Sequence, residues 1–85
     1  MSYETRFADG SEITSYLATG YAEGFEEASD PRDVIRAWSY LIGTRLAYNL
    51  QGWFGRQATS IIESEIISEN GTVDWDEVEY KLNDN

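Results

Sequence analysis

In DWDEVE, residues 74–79, four carboxylates fall within six positions. Such side chains can move protons as acid–base pairs or hold hard cations through oxygen. Neither role is expected here. Asp74, Asp76, Glu77 and Glu79 lack the twelve-residue loop with glycine at its sixth position that an EF-hand calcium site requires. The chain also has no Cys and no His, which removes thiolate zinc sites, Cys or His nucleophiles and imidazole catalysis. The expectation is a protein with no catalytic residues, no metal and no cofactor.

A second candidate is LQGWFGRQA, residues 50–58, where Gly52 and Gly55 bracket Trp53 and Phe54 and Arg56 follows. Helix–GxxG–helix also occurs in KH domains, where the glycines let backbone approach four nucleotides. The sheet of that fold is not visible, and a net charge of -10 repels phosphates. Direct nucleic-acid binding is therefore not expected. A corner between two helices plugged by Trp53 and Phe54 is the plainer reading, and a weaker anion site at the second helix start with Arg56 stays open beside it.

Eighty-five residues make a single domain, and a chain this short buries only about 60% of the surface its unfolded form exposes. The hydrophobic content of 41%, with three Trp, six Tyr and three Phe, is still too high for a disordered chain. Charge is unevenly spread. Residues 1–30 carry seven acids and one base, residues 31–62 one acid and four bases, and residues 63–85 eight acids and one base. Two acidic arms, 1–30 and 68–85, thus flank a mildly basic centre, 31–67. They serve either to solubilise the domain and neutralise Arg32, Arg36 and Arg56, or to meet a basic partner. MSYETRFADG has neither a basic start nor an apolar run, and no segment approaches the roughly 20 apolar residues that span a bilayer. The expected setting is soluble and intracellular, with no membrane partner.

The elements that must position these residues read as all-α. Ile13, Tyr16, Leu17 and Tyr21 fit a short helix within residues 9–21, capped by Asp9 or Ser11, and residues 22–29 read as a loop. In SDPRD, Ser29 or Asp30 can cap, Pro31 loses nothing in the first turn, and Asp33 suits the helix dipole. From residue 31 to about 50, Val34, Ile35, Trp38, Leu41, Ile42 and Leu46 form one stripe. Gly52 is expected to close that helix at positive φ. A second helix over about 53–67, with Phe54, Ala58, Ile61 and Ile62 on one face, completes an antiparallel helical hairpin, the base of a small bundle with short flanking helices. After Asn70-Gly71, Asp74 and Glu77 form a reciprocal capping pair for a last helix carrying Trp75, Val78 and Leu82, favoured over a strand.

At about 100° per residue, Arg45 and Asn49 fall inside the first stripe and Glu65 inside the second. Arg45 and Glu65 are expected to form a partly buried structural pair, because an unpaired buried charge is costly. Arg45→Ala should then destabilise several times more than Arg36→Ala.

The run VIRAWSYLIGTRLAYNLQGWFGRQATSIIE, residues 34–63, resembles a family of very short tailed-bacteriophage proteins with a pattern close to LI-x-T/S-x-L-A-x-x-LQG-x-Y/F-GR-x-A-x-x-LIE. The matching residues are Leu41, Ile42, Thr44, Leu46, Ala47, Leu50, Gln51, Gly52, Phe54, Gly55, Arg56, Ala58, Ile61, Ile62 and Glu63. The resemblance implies a viral origin and a helical hairpin, and brings no reaction with it. Two departures stand out. Family members often carry glycine where Arg45 stands, and a glycine-ended tail where Ser64-Glu65-Ile66-Ile67 continues here.

Together these readings point to a small acidic phage protein, acting in the cytoplasm of the infected host, that binds and modulates or inhibits a host or defence protein with a basic surface. Its interface is expected among Glu63, Glu69, Asp74, Asp76, Glu77, Glu79, Trp53 and Trp75. The acidic arms could act by imitating DNA, whereas exposed aromatics (Trp53, Trp75, Tyr3, Tyr80) would form a hot spot for self-association or a host regulator. The alternative is a minor virion component or a self-associating accessory protein.

Overall fold

The SDPRD stretch starts a helix as its residues dictate. In the computed structural model, which describes residues 2–83, Asp30 Oδ1 accepts a hydrogen bond from the Arg32 amide at 2.9 Å, and Pro31 already has helical φ and ψ of -59° and -23°. The described residues hold four α-helices: α1 (Ser15–Glu23), α2 (Arg32–Gly43), α3 (Gly52–Glu63) and α4 (Trp75–Asn83). A single 3₁₀ turn, Leu46–Tyr48, lies between α2 and α3. Among the described residues β pairing is limited to two isolated antiparallel bridges, Arg6 with Glu12 and Ile67 with Val73. The all-α reading holds.

The stripe on α2 is the centre of the core. Ala37, Trp38, Leu41 and Ile42 are buried on it, and full burial of a Leu or Ile side chain stabilises by about 1.5–3 kcal/mol. From α3, Phe54 and Ala58 are buried. Phe7, Ile13, Ala18, Ile67, Val73 and Val78 close the core from the other elements. Trp38 meets Trp53 and Phe54 at ring centroid distances of 6.0 and 6.1 Å. That contact ties α2 to α3, while the helix packed most extensively on α2 is α1.

Both long helices are shorter than their stripes imply. α2 stops at Gly43, where Arg45 leaves the helical conformation at φ 69° and the Thr44 hydroxyl donates to the Tyr40 carbonyl at 2.8 Å. α3 stops at Glu63, and Glu65 adopts φ 68°. The endings match: the Arg45 amide donates to Ile42 O and the Glu65 amide to Ile62 O, each at 3.0 Å, the backbone bond of a left-handed helix terminus. An apolar residue, Leu46 or Ile66, follows each and packs on the core. Arg45 and Glu65 are thus the two non-glycine residues with positive φ among those described, a conformation that favours glycine.

This overturns the Arg45–Glu65 pair, since both lie beyond their helices and both are exposed. The Arg45 guanidinium instead sits 5.9 Å from the centroid of the Tyr48 ring. Gly52 is corrected too. It opens α3 rather than closing α2, and it is not among the glycines at positive φ, which are Gly10, Gly24 and Gly71. α1 begins later than expected, with Thr14 Oγ1 as its cap. Tyr16 points outward at 73% exposure rather than into the core.

The N-terminal segment that sequence reading assigned to α1 forms a tight hairpin. Asp9 caps no helix; its Oδ1 accepts from the Ser11 amide at 2.9 Å and the Ser11 hydroxyl at 2.6 Å. These bonds hold its carboxyl below the ordinary carboxylate value, the Ser11 hydroxyl contributing most. Tyr3 then runs between α2 and the 68–72 turn, packing edge-on against Tyr40 at 6.0 Å and over Gly43.

Candidate functional site

The polar groups that the core does bury are structural. Asp33 is 6% exposed; its Oδ1 accepts from the Ala8 amide at 2.9 Å and from Arg36 Nη1 at 2.8 Å. The Arg36 guanidinium also lies 3.9 Å from Glu4 and 4.8 Å from the centroid of the Trp75 ring. Buried Ser39 accepts from the Glu4 amide at 2.8 Å and donates to Gly71 O at 2.6 Å. One side of α2 therefore ties the N-terminal segment, the 68–72 turn and α4 together. Sequence reasoning expected the partly buried arginine at Arg45, paired with Glu65, because helical phase alone marks Arg36 as an ordinary surface residue.

The same network sorts the acidic residues of the C-terminal segment. Glu79 is engaged with α2, its Oε1 lying 2.7 Å from both Nε and Nη2 of Arg32. Glu77 faces Lys81 at 3.9 Å, and its amide donates to the capping Asp74 Oδ1 at 3.1 Å. The expected capping pair is half made, since the Asp74 amide donates to Ile66 O at 2.8 Å rather than to Glu77. Neither Glu77 nor Glu79 is thus a free surface carboxylate.

Four further carboxylates gather at a cavity of about 680 Å³ between the end of α3, the 67–73 hairpin and the start of α4. Ile62, Ile67, Val73 and Trp75 give it apolar walls, and Glu65, Glu69, Asp74 and Asp76 line it with carboxylates. Among the described residues none of those four carboxylates has an ion-pair partner. None of the chain's six basic residues lines the cavity. Thr72, also at the wall, has a buried hydroxyl oxygen with no hydrogen-bond partner.

Of the eight expected interface residues, the fold brings Glu69, Asp74, Asp76 and Trp75 together here. Glu63 lines a neighbouring depression with Arg45, Tyr48 and Glu69. Trp53 lies at the α3 corner, its ring 4.8 Å from that of Phe54. Sequence reasoning missed Glu65 as a wall residue, and Ile62, Ile67, Thr72 and Val73 with it. A signal was present: Ile67 and Val73 flank Asn70-Gly71, a common hairpin turn. Tyr3, grouped with the exposed aromatics, is packed inside the fold.

Over residues 21–82 the chain matches the family described as Domain of unknown function (DUF7417). The chain belongs to that family. Comparison with curated proteins and with solved structures found no match. The DUF7417 region includes α2, α3, α4 and the whole cavity wall, and leaves out the N-terminal hairpin and most of α1. Among the described residues no helix of the DUF7417 protein is long and apolar enough to cross a membrane.

Proposed function

We propose that this protein is a phage-encoded binding protein that engages a basic surface of a host or defence protein and alters its action in the host cytoplasm. The observation that supports this most is the asymmetry of charge at the cavity, where every charged wall residue is an unpaired carboxylate. Unpaired charge around an apolar depression suits association, because complementary fields raise encounter rates and a desolvated centre supplies affinity. The resemblance of residues 34–63 to short phage proteins supplies the viral setting.

The test replaces Glu65 and Glu69 with Gln and Asp76 with Asn, leaving the cap residue Asp74 in place. Association with the partner captured from infected cells is then measured at low and physiological salt. The expected result is a severalfold slower association and a flatter salt dependence. An unchanged rate and slope would remove this face from the interface. The second reading, self-association or a virion role, rests on a different surface. Tyr16 and Phe25, 73% and 83% exposed, line a shallow depression with Glu23 and Glu26, and self-association of like-charged copies there would strengthen with salt.

A further inference from the structure

Resting on the binding role proposed above, we infer that the cavity takes a single large apolar side chain from a lysine- or arginine-rich segment of the partner, so that the partner is gripped by insertion rather than by charge alone. The carboxylates sit around a depression whose partly exposed apolar residues are Ile62 and Trp75, while Ile67 and Val73, also on its lining, belong to the buried core. A protein that binds by imitating nucleic acid needs only a charged surface, and an apolar depression contributes nothing to that imitation. Here the two features share one place, so an occupant must satisfy both.

Trp75 makes the site ready before anything binds. Its ring is held by the Arg36 guanidinium at 4.8 Å, and Arg36 is itself fixed by Asp33 and Glu4. A wall that is already ordered loses little freedom on binding. The unpaired carboxylates then select the occupant, because cations on either side of the inserted residue complement them. Glu69, at the tip of the 68–72 turn, and Asp76, in the first turn of α4, flank the depression from two elements, which suits cations on both sides of one anchor.

Two synthetic peptides test the inference: Lys-Lys-Leu-Lys-Lys and Lys-Lys-Ser-Lys-Lys, both blocked at the ends and equal in charge. Each is titrated into the whole protein, with backbone amide and indole shifts followed by nuclear magnetic resonance. The leucine peptide is expected to bind about tenfold or more tightly, the effect of burying one such side chain, with shifts centred on Thr72, Val73 and Trp75. Glu69→Gln with Asp76→Asn, both exposed, is expected to weaken both peptides and preserve their ratio. Equal affinity for the two peptides would overturn the insertion while leaving an acidic binding face standing. Binding of neither, or shifts that avoid the cavity, would overturn it as well. Loss of partner association in the carboxylate variant of the preceding section would then show that the broader proposal survives on its own.

Discussion

Two turns of this protein are near copies in local structure and opposites in surroundings. In Phe7–Ser11 and in Ser68–Thr72 the first residue's amide donates to the last residue's carbonyl at 2.9 Å, and a glycine amide donates back to the first carbonyl at 2.9 Å. Gly10 and Gly71 have φ of 88° and 90°. The residue before each glycine accepts from the amide after it: Asp9 from Ser11 at 2.9 Å, Asn70 from Thr72 at 3.1 Å. A serine hydroxyl also reaches each side chain, Ser11 to Asp9 and Ser68 to Asn70. Yet a Cβ on Gly10 would meet nothing within 4 Å, while one on Gly71 would lie 2.7 Å from Ser39 O and 2.8 Å from Gly43 Cα. Local chemistry makes both turns, and packing decides how much each matters.

The sharpest way to break that comparison is alanine at both glycines. Gly71→Ala combines positive-φ strain of about 1–2 kcal/mol with an overlap of about 1–3 kcal/mol. It is expected to lose roughly 3–4 kcal/mol in urea melts, or to leave the chain unfolded. Equal losses at Gly10 and Gly71 would mean that the α2 contact is not as close as described.

Arginine extends the same contrast. Arg36→Ala removes the charged partner of buried Asp33 and is expected to cost about 2 kcal/mol. Arg45→Ala removes an exposed group over Tyr48 and should change stability by under about 0.5 kcal/mol. The reversed order would restore a buried role for Arg45. Gly10→Ala comes next, at about 1–2 kcal/mol from backbone strain alone.

A smaller effect, of opposite sign, is expected where the left-handed residue is not glycine. Arg45→Gly relieves an unfavourable φ while freeing the unfolded chain, and should stabilise by a few tenths of a kcal/mol to about 1 kcal/mol. A loss would show that the Tyr48 contact outweighs the strain.

The gentlest probe is acid, because the side chain that accepts the turn's hydrogen bonds is a carboxylate in one turn and an uncharged amide in its twin. Asp9 has its folded-state pKa lowered from 3.8, first by the Ser11 hydroxyl and then by the Ser11 amide. A depressed carboxylate contributes stability that is complete above its unfolded value and is lost as pH falls through the folded one. As pH falls through the depressed Asp9 value the Ser11 amide signal should therefore move, and further than that of Thr72, which is bonded to uncharged Asn70. Parallel movement in both turns would point to general unfolding instead.

The stripe Val34, Ile35, Trp38, Leu41, Ile42 and the face Phe54, Ala58, Ile61, Ile62 were legible because spacing at 3.6 residues depends on nothing outside the helix. The caps at Asp30 and Asp74 were legible for the same reason. Helix ends were not. Arg45 and Glu65 are poor left-handed residues, so no local signal placed a terminus there, and the phase count ran on through both.

What the residues determined alone is the all-helical class, the start of α2, the two apolar faces, the lack of any Cys or His chemistry and the segregation of acid to the chain's two arms. Each follows from local periodicity, capping geometry or simple inventory. Tertiary structure decided which charges are spoken for and which are free. Glu79 belongs to Arg32, 47 residues away in the chain, whereas Glu65, Glu69 and Asp76, with the cap residue Asp74, come from three separate elements to line one depression. In sequence those acidic residues look alike, because an ion pair depends on the distance between groups far apart in the chain, and that distance exists only once α2, the hairpin and α4 have packed.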